Sequence, residues 1–229
     1  MFDCFKRKRN PVQEPVKVPV KTPPVVLPKT TDVNNKPLTK FEAMYMDAVY
    51  EDTHFRPQLI HIKEEYEKYT SRYVQVSLAT GVPSKVICAI HALECSLSFN
   101  KILHNGEKIT DVIRRGTIYV PKGIGKGKDW TWEGFAIDAL EREKNKFPEK
   151  WDITGTLDFL EKYNGLGYRK YHPTVKTPYL FSGTQFYSKG KYTEKRNWLG
   201  KIKSYFDYNL VSKQVGCVPI LRTLGYTGE

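Results

Sequence analysis

Residues 84–97 read Ser-Lys-Val-Ile-Cys-Ala-Ile-His-Ala-Leu-Glu-Cys-Ser-Leu, an apolar run with one carboxylate, Glu94, near its end. Val86, Ile87, Ala89, Ile90 and Leu93 make this a very apolar helix. Such a helix is stable only when other elements surround it. Gly81 closes whatever precedes the run, and Pro83 suits the entry to a new helix starting at Ser84 and reaching about Leu97. A glutamate at that place is partly desolvated and lies toward the negative end of the helix dipole. Both effects disfavour its charge and raise its pKa. A carboxylic acid that keeps its proton near neutral pH can protonate a departing glycosidic oxygen. The same pattern also admits a plain surface glutamate on the polar side of the helix.

The rest of the chain supplies the expected surroundings. Thr39 with Glu42 three residues on forms a capping box for a first helix. A second helix is predicted over Pro57–Leu78, where Leu59, Ile62, Tyr66, Tyr69 and Tyr73 recur at helical spacing and Gly81 ends the pattern. Residues 98–129 are punctuated by glycine and read as loops, with a short strand at Thr117–Val120. Helices resume over Thr131–Lys146 and Asp152–Tyr163. Residues 164–198 are irregular and rich in Gly, Pro and Tyr, and a last helical portion spans Leu210–Leu224. The expectation is a mainly α domain over residues 38–229 with an irregular, loop-rich cleft. It follows a flexible arm over 1–37, where Pro11, Pro15, Pro19, Pro23, Pro24, Pro28 and Pro37 favour an extended linker.

The 229 residues are 40% hydrophobic and 13% aromatic, enough for a real core. Charge is lopsided, with 37 Lys+Arg against 25 Asp+Glu and a net +12. Residues 1–40 hold nine Lys/Arg and three Asp/Glu, so half of the excess lies in the arm. Such a chain suits a polyanionic partner: nucleic acid, an anionic membrane, or a bacterial wall polymer. Cys88 and Cys95 lie seven apart on one helical face, about 10 Å along the axis, too far to bridge. With Cys4 and Cys217 they read as free thiols. The five histidines show no paired spacing, so no metal site and no cofactor are expected. The start, MFDCFKRKRN, lacks an apolar run and does not read as a secretory signal. No segment approaches the length of a membrane span.

The order of these features resembles the lysozyme-like superfamily, which includes goose-type lysozymes, soluble lytic transglycosylases and many bacteriophage endolysins. That group keeps a catalytic glutamate at the end of an apolar helix, commonly followed by a small hydroxyl residue. In Ala92-Leu93-Glu94-Cys95-Ser96 the cysteine takes the adjacent place and the serine comes one later. Gly81-Val82-Pro83 resembles the entry to that helix in phage lysozymes. Tyr163-Asn164-Gly165-Leu166-Gly167-Tyr168-Arg169 resembles the Tyr-Asn-x-Gly segment that lines the transglycosylase cleft. Leu103-His104-Asn105-Gly106 and Trp132-Glu133-Gly134-Phe135-Ala136-Ile137-Asp138-Ala139-Leu140 resemble stretches of phage and bacterial wall hydrolases. The resemblance covers about residues 55–195. The Gly-Leu-Met-Gln segment usual in transglycosylases is absent.

The resemblance implies cleavage of the peptidoglycan glycan strand at the β-1,4 bond between N-acetylmuramic acid and N-acetylglucosamine, with Glu94 as general acid. A second carboxylate is expected from Glu107, Asp111 or Asp138: the first two lie in the loop after the Glu94 helix, and Asp138, inside the 135–140 helix, has orienting its neighbours as the alternative role. Without a second carboxylate the chemistry becomes lytic transglycosylation. His104, Asn105, Tyr163, Asn164, Tyr168, Tyr179 and Tyr187 are the candidate substrate contacts. Lys189, Lys191, Lys195 and Arg196 are placed to attract anionic polymer. The implied setting is phage-type bacteriolysis, from the host cytoplasm before lysis or on a virus particle, with the basic arm binding wall polymer or a virion protein. Two rival readings stand beside it. One is a non-catalytic wall-binding or virion structural protein. The other is a helix-turn-helix DNA-binding protein, suggested by Leu78-Ala79-Thr80-Gly81-Val82-Pro83-Ser84; a recognition helix, however, should present polar side chains where this one offers mainly apolar ones.

Overall fold

The computed structural model describes residues 38–50, 54–119, 121–196 and 202–229, and the arm expected over 1–37, with Cys4, lies outside them. Helix α1 (Lys40–Met46) begins with the anticipated capping box: Thr39 Oγ1 accepts the Glu42 amide, and Glu42 Oε2 accepts the Thr39 N–H at 2.7 Å. The helix expected over 57–78 is two helices, α2 (Arg56–Lys68) and α3 (Thr70–Thr80), separated at Tyr69 with φ −114° and ψ 22°. The Thr70 hydroxyl donates to the Tyr66 carbonyl at 2.7 Å, a side-chain bond that competes with the helical ladder at the break.

Gly81 ends α3 in the left-handed region at φ 75°, and α4 (Ser84–Cys95) departs at 110° to α3. Every residue from Val86 to His91 is fully buried. Helix α4 packs between α3 on one side and the C-terminal helix on the other. The helix-turn-helix outline is therefore present in the backbone, but the second helix is the centre of the core and has no face to offer a DNA groove. His91 is a core histidine. Its Nδ1 lies 2.9 Å from the Tyr73 hydroxyl, its ring packs against Phe99 and Trp132, and burial pushes its pKa down to about 4. Cys88, Cys95 and Cys217 are buried free thiols.

Beyond α4 the sequence pattern was less informative. A helix missed in the glycine-rich stretch, α5 (Ile109–Arg115), precedes residues 117–119, which form a bend where a strand was expected. The helix expected over 131–146 stops early: α6 (Trp132–Glu141) is followed by a 3-10 turn at Lys144–Lys146. Helix α7 (Ile153–Asn164) falls where expected, with Asp152 capping the Gly155 amide. Two short helices follow, α8 (Gly167–Tyr171) and α9 (Pro178–Phe181). Then come two strands, β1 (Lys191–Arg196) and β2 (Ile202–Asp207), paired antiparallel with Lys191 opposite Asp207. Helix α10 (Cys217–Thr223) is shorter than the 210–224 anticipated. The domain is thus mainly helical with one small two-stranded sheet. Tyr168, His172, Tyr192 and Phe206 dock that sheet on α8, with the His172 and Phe206 rings stacked 3.6 Å apart.

Gly81 sets the direction of α4. A Cβ at this position would meet nothing within 4 Å, so a substitution there costs only the backbone strain of a left-handed residue. Gly81→Ala should lower stability by about 1–2 kcal/mol in chemical unfolding without altering the folded structure. A loss several times larger would mean that the α3–α4 angle itself depends on this residue.

Candidate functional site

Helix α4 ends in a tight closure. The Ser96 and Leu97 amides both donate to the His91 carbonyl, and both residues are left-handed, at φ 51° and 59°. Left-handed backbone at two consecutive non-glycine residues is strained, and it sits directly after Glu94 and Cys95. The loop carrying His104 and Asn105 returns against this end. Gly106, itself left-handed, lets that loop approach, because a Cβ there would come within 3.2 Å of the Glu94 carbonyl.

Glu94 opens into a recess of about 220 Å³, lined also by Leu103, His104, Arg142, Glu143, Tyr163 and Asn164. Burial raises the Glu94 pKa, and the neighbouring Tyr179 hydroxyl opposes that rise only in part. Tyr179 is itself buried, and burial together with the charge of Glu94 keeps its phenol protonated. Tyr163 is held in the same way by burial and by the two carboxylates, Glu94 and Glu143; its hydroxyl is 3.4 Å from the Leu103 carbonyl.

One wall of the recess is an ordered polar chain. Arg142 Nε donates to Asp138 Oδ2 at 2.7 Å, and His104 Nε2 lies 2.8 Å from the same oxygen. Burial lowers the His104 pKa and outweighs the pull of Asp138, so the ring is neutral near neutral pH. Its Nε2 then carries the proton toward Asp138, and its buried Nδ1 has no partner among the described residues. Burial works against the charge of Asp138, but Arg142 and His104 prevail and lower its pKa. Asp138 thus holds Arg142 and His104 in place.

The recess continues. Asn164 is shared with a second hollow of about 340 Å³ that includes Tyr168, Tyr179 and Lys191. This hollow shares Leu93, Lys191, Gln214 and Val215 with a third, of about 620 Å³. The three hollows thus share lining residues around the end of α4. Gln214 Nε2 donates to the Leu93 carbonyl at 2.7 Å, tying the far wall to that same helix end.

The structure therefore brings Glu94, His104, Tyr163 and Asn164 to one recess, and Asn164, Tyr168 and Tyr179 to the hollow that shares Asn164 with it. It does not bring Glu107, Asp111, Asn105 or Tyr187 there. The Glu107 carboxylate accepts the amides of Ile118 and Tyr119, the Asn105 side chain and Arg115. Burial opposes its ionisation, yet these donors more than compensate and hold its pKa down, so it pins the 116–119 segment. Asp111 is half exposed on α5, facing Arg114 and Arg115. The Asn105 amide is taken up by Glu107. The Tyr187 hydroxyl bonds the Gly190 carbonyl and the Ser212 amide, a packing role. Lys191 lines that second hollow, whereas the side chains of Lys195 and Arg196 lie outside the described residues.

Sequence reasoning missed Glu143. In Glu141-Arg142-Glu143-Lys144 it reads as part of a solvated helix face. Only the early end of α6 and the 3-10 turn direct it into the recess, where Lys146 is its ion partner. No run of three His, Cys, Asp or Glu side chains forms a metal site among the described residues. Also among them, no single helix is long and apolar enough to cross a membrane. The chain matches no protein-family profile, no curated protein and no solved structure.

The raised Glu94 pKa has a stability consequence. A proton on Glu94 favours the folded state, a contribution fully present below the ordinary carboxyl pKa and lost as pH rises through the raised one. Glu94→Gln keeps the neutral shape and abolishes that loss. Its melting temperature should exceed that of the native protein at pH above the raised value, with the two converging in acid. A variant that melts at or below the native protein throughout would contradict the burial of an ionisable group here.

Proposed function

We propose that this chain is a lysozyme-like enzyme that cleaves the glycan strand of bacterial peptidoglycan, with Glu94 as the general acid. The observation that carries this reading is the pairing of a desolvated carboxyl with neighbouring hollows. Glu94 stands at the end of a buried helix with its pKa raised, in a recess that shares Asn164 with the next hollow. A polymeric substrate needs a groove, and departure of a sugar oxygen needs a proton donor within it.

The chemistry follows from the residues in the recess. Glu94 delivers its proton to the bridging oxygen as the bond from that oxygen to the anomeric carbon breaks, the electron pair leaving with oxygen. A water then attacks the anomeric carbon, and Glu143 takes its proton, so the new end is a reducing sugar. Glu143 fills the role for which Glu107, Asp111 and Asp138 were considered. Lys146 lies beside it as its ion partner. Tyr179 supports the acid, and the Asn164 side chain is available to an N-acetyl group. The Arg142–Asp138–His104 chain keeps the recess wall in place. Acting on a wall, the enzyme would serve phage-type lysis or wall penetration.

The direct test is mass analysis of soluble products from purified peptidoglycan. The native protein should release muropeptides with reducing ends. Glu94→Gln and Glu143→Gln should each reduce the rate by about 10²-fold or more, the usual worth of a positioned acid or base. Anhydro-muropeptides would instead indicate transglycosylation, with the strand's own hydroxyl as nucleophile and Glu143 dispensable. Equal release by native and Glu94→Gln proteins, or none, would overturn the mechanism.

A further inference from the structure

Ile118 and Tyr119 are 51% and 61% exposed, and among the described residues no other two consecutive large apolar side chains are both exposed. Single exposed apolar residues are ordinary on a protein surface; an exposed pair held in a fixed place is not. What holds this pair is the buried Glu107, whose carboxylate accepts the Ile118 amide at 3.1 Å and the Tyr119 amide at 3.3 Å. Arg115 at 3.2 Å and the Asn105 side chain at 2.8 Å complete its donors. Thr117, one residue before, is fixed as firmly. Its amide donates to the Ile124 carbonyl at 3.1 Å, and its carbonyl accepts the Gly123 amide at 3.0 Å. Its hydroxyl donates to the Pro121 carbonyl and accepts the Ile124 amide.

The returning limb is fastened to the core. Gly125, left-handed at φ 76°, lies so close to Phe135 and Val112 that a Cβ there would come within 2.7 Å of both. The Gly127 amide donates to the Ile113 carbonyl at 2.9 Å. This limb carries Lys122, Lys126 and Lys128, all exposed and in no ion pair among the described residues. The Lys126 Cβ would lie 3.4 Å from a Cβ on Gly116, which places it beside the limb that leads to Ile118. Residues 114–130 hold five Lys/Arg against one acidic residue, Asp129. A rigid loop thus presents an aliphatic and an aromatic side chain beside free ammonium groups. A polyanion alone would use the cations and leave Ile118 without a counterpart. A bilayer with acidic headgroups offers both, charge at its surface and apolar depth beneath.

We infer that the 114–130 loop docks the protein on an anionic lipid surface, with Ile118 and Tyr119 entering the headgroup–acyl boundary and Lys122, Lys126 and Lys128 engaging acidic headgroups. The docking is peripheral and does not depend on the Glu94 mechanism. Pro121 of the same loop lines the Glu94 recess, so docking holds that recess close to the bilayer.

The test is sedimentation of the full chain with vesicles of phosphatidylcholine alone and of phosphatidylcholine mixed with phosphatidylglycerol. Binding to the mixed vesicles should exceed binding to the neutral ones and weaken as salt is raised. Each lysine near such a surface contributes about fivefold, so Lys122→Gln, Lys126→Gln and Lys128→Gln together should weaken binding by about 10²-fold. Ile118→Ser with Tyr119→Ser should weaken it by at least about tenfold. An unchanged melting temperature reports an intact fold in each variant. The basic residues of 1–37 are common to all of them, so entry of the loop itself is read separately. The emission of Tyr119→Trp, taken as the difference from the native protein, should move to the blue on mixed vesicles and be quenched by lipids brominated along their chains. Absence of vesicle binding, variants that bind as well as the native protein, or Tyr119→Trp emission that ignores the vesicles would overturn the proposal. So would a single-stranded oligonucleotide that binds in place of the vesicles and loses affinity with Tyr119→Ser, which would give the loop to nucleic acid.

Discussion

Everything in this domain depends on the complete burial of α4. A helix with no polar face from Val86 to His91 must be enclosed, and α3, α6 and α10 are arranged to achieve this. Enclosure leaves one exit for the helix, at its C-terminal end. There the chain turns through strained left-handed residues at Ser96 and Leu97, and the next loop packs on the turn through Gly106. The only carboxylate in the helix lies at that exit. Its desolvation is therefore a consequence of how the core is built.

The same logic distinguishes the carboxylates of the middle of the chain. Glu94, Glu107 and Asp138 are each partly removed from water, which opposes ionisation. Glu107 gains two backbone amides, an amide side chain and a guanidinium, and its charge prevails. Asp138 gains Arg142 and His104, with the same result. For Glu94 the opposing effect comes from the Tyr179 hydroxyl, and desolvation prevails. The number of donors that reach a buried carboxyl decides whether it serves as an anchor or as an acid. Glu107 and Glu94 occupy opposite ends of that range although the loop bearing one packs on the helix end bearing the other.

How much of this was legible in the sequence follows from which interactions are local. The capping box of α1, the glycine end of α3, the start of α4 and the span of α7 are written in neighbouring residues and were readable. The placement of Glu94 was readable too, because a very apolar helix implies burial. The break at Tyr69 depends on one hydroxyl choosing a carbonyl, which periodicity does not reveal. The β1–β2 pair was hidden because Lys-Tyr-Thr-Glu-Lys-Arg offers one aromatic anchor, and its partners on α8 and β2 are distant in sequence. Glu143 was invisible for a related reason: its role depends on where α6 stops. Glu107 was mistaken for a cleft residue because a glutamate in a glycine-rich loop gives no sign that backbone amides will close around it.

The most direct measurement is a carbon-13 NMR titration of the Glu94 side-chain carboxyl, assigned by the resonance that disappears in Glu94→Gln. A buried acid at the end of α4 predicts a midpoint above the ordinary carboxyl range, falling back to that range when the protein is unfolded. A midpoint at or below the ordinary range in the folded protein would mean that Glu94 is solvated or paired. It would then be a surface charge, and the helix would end in no active acid.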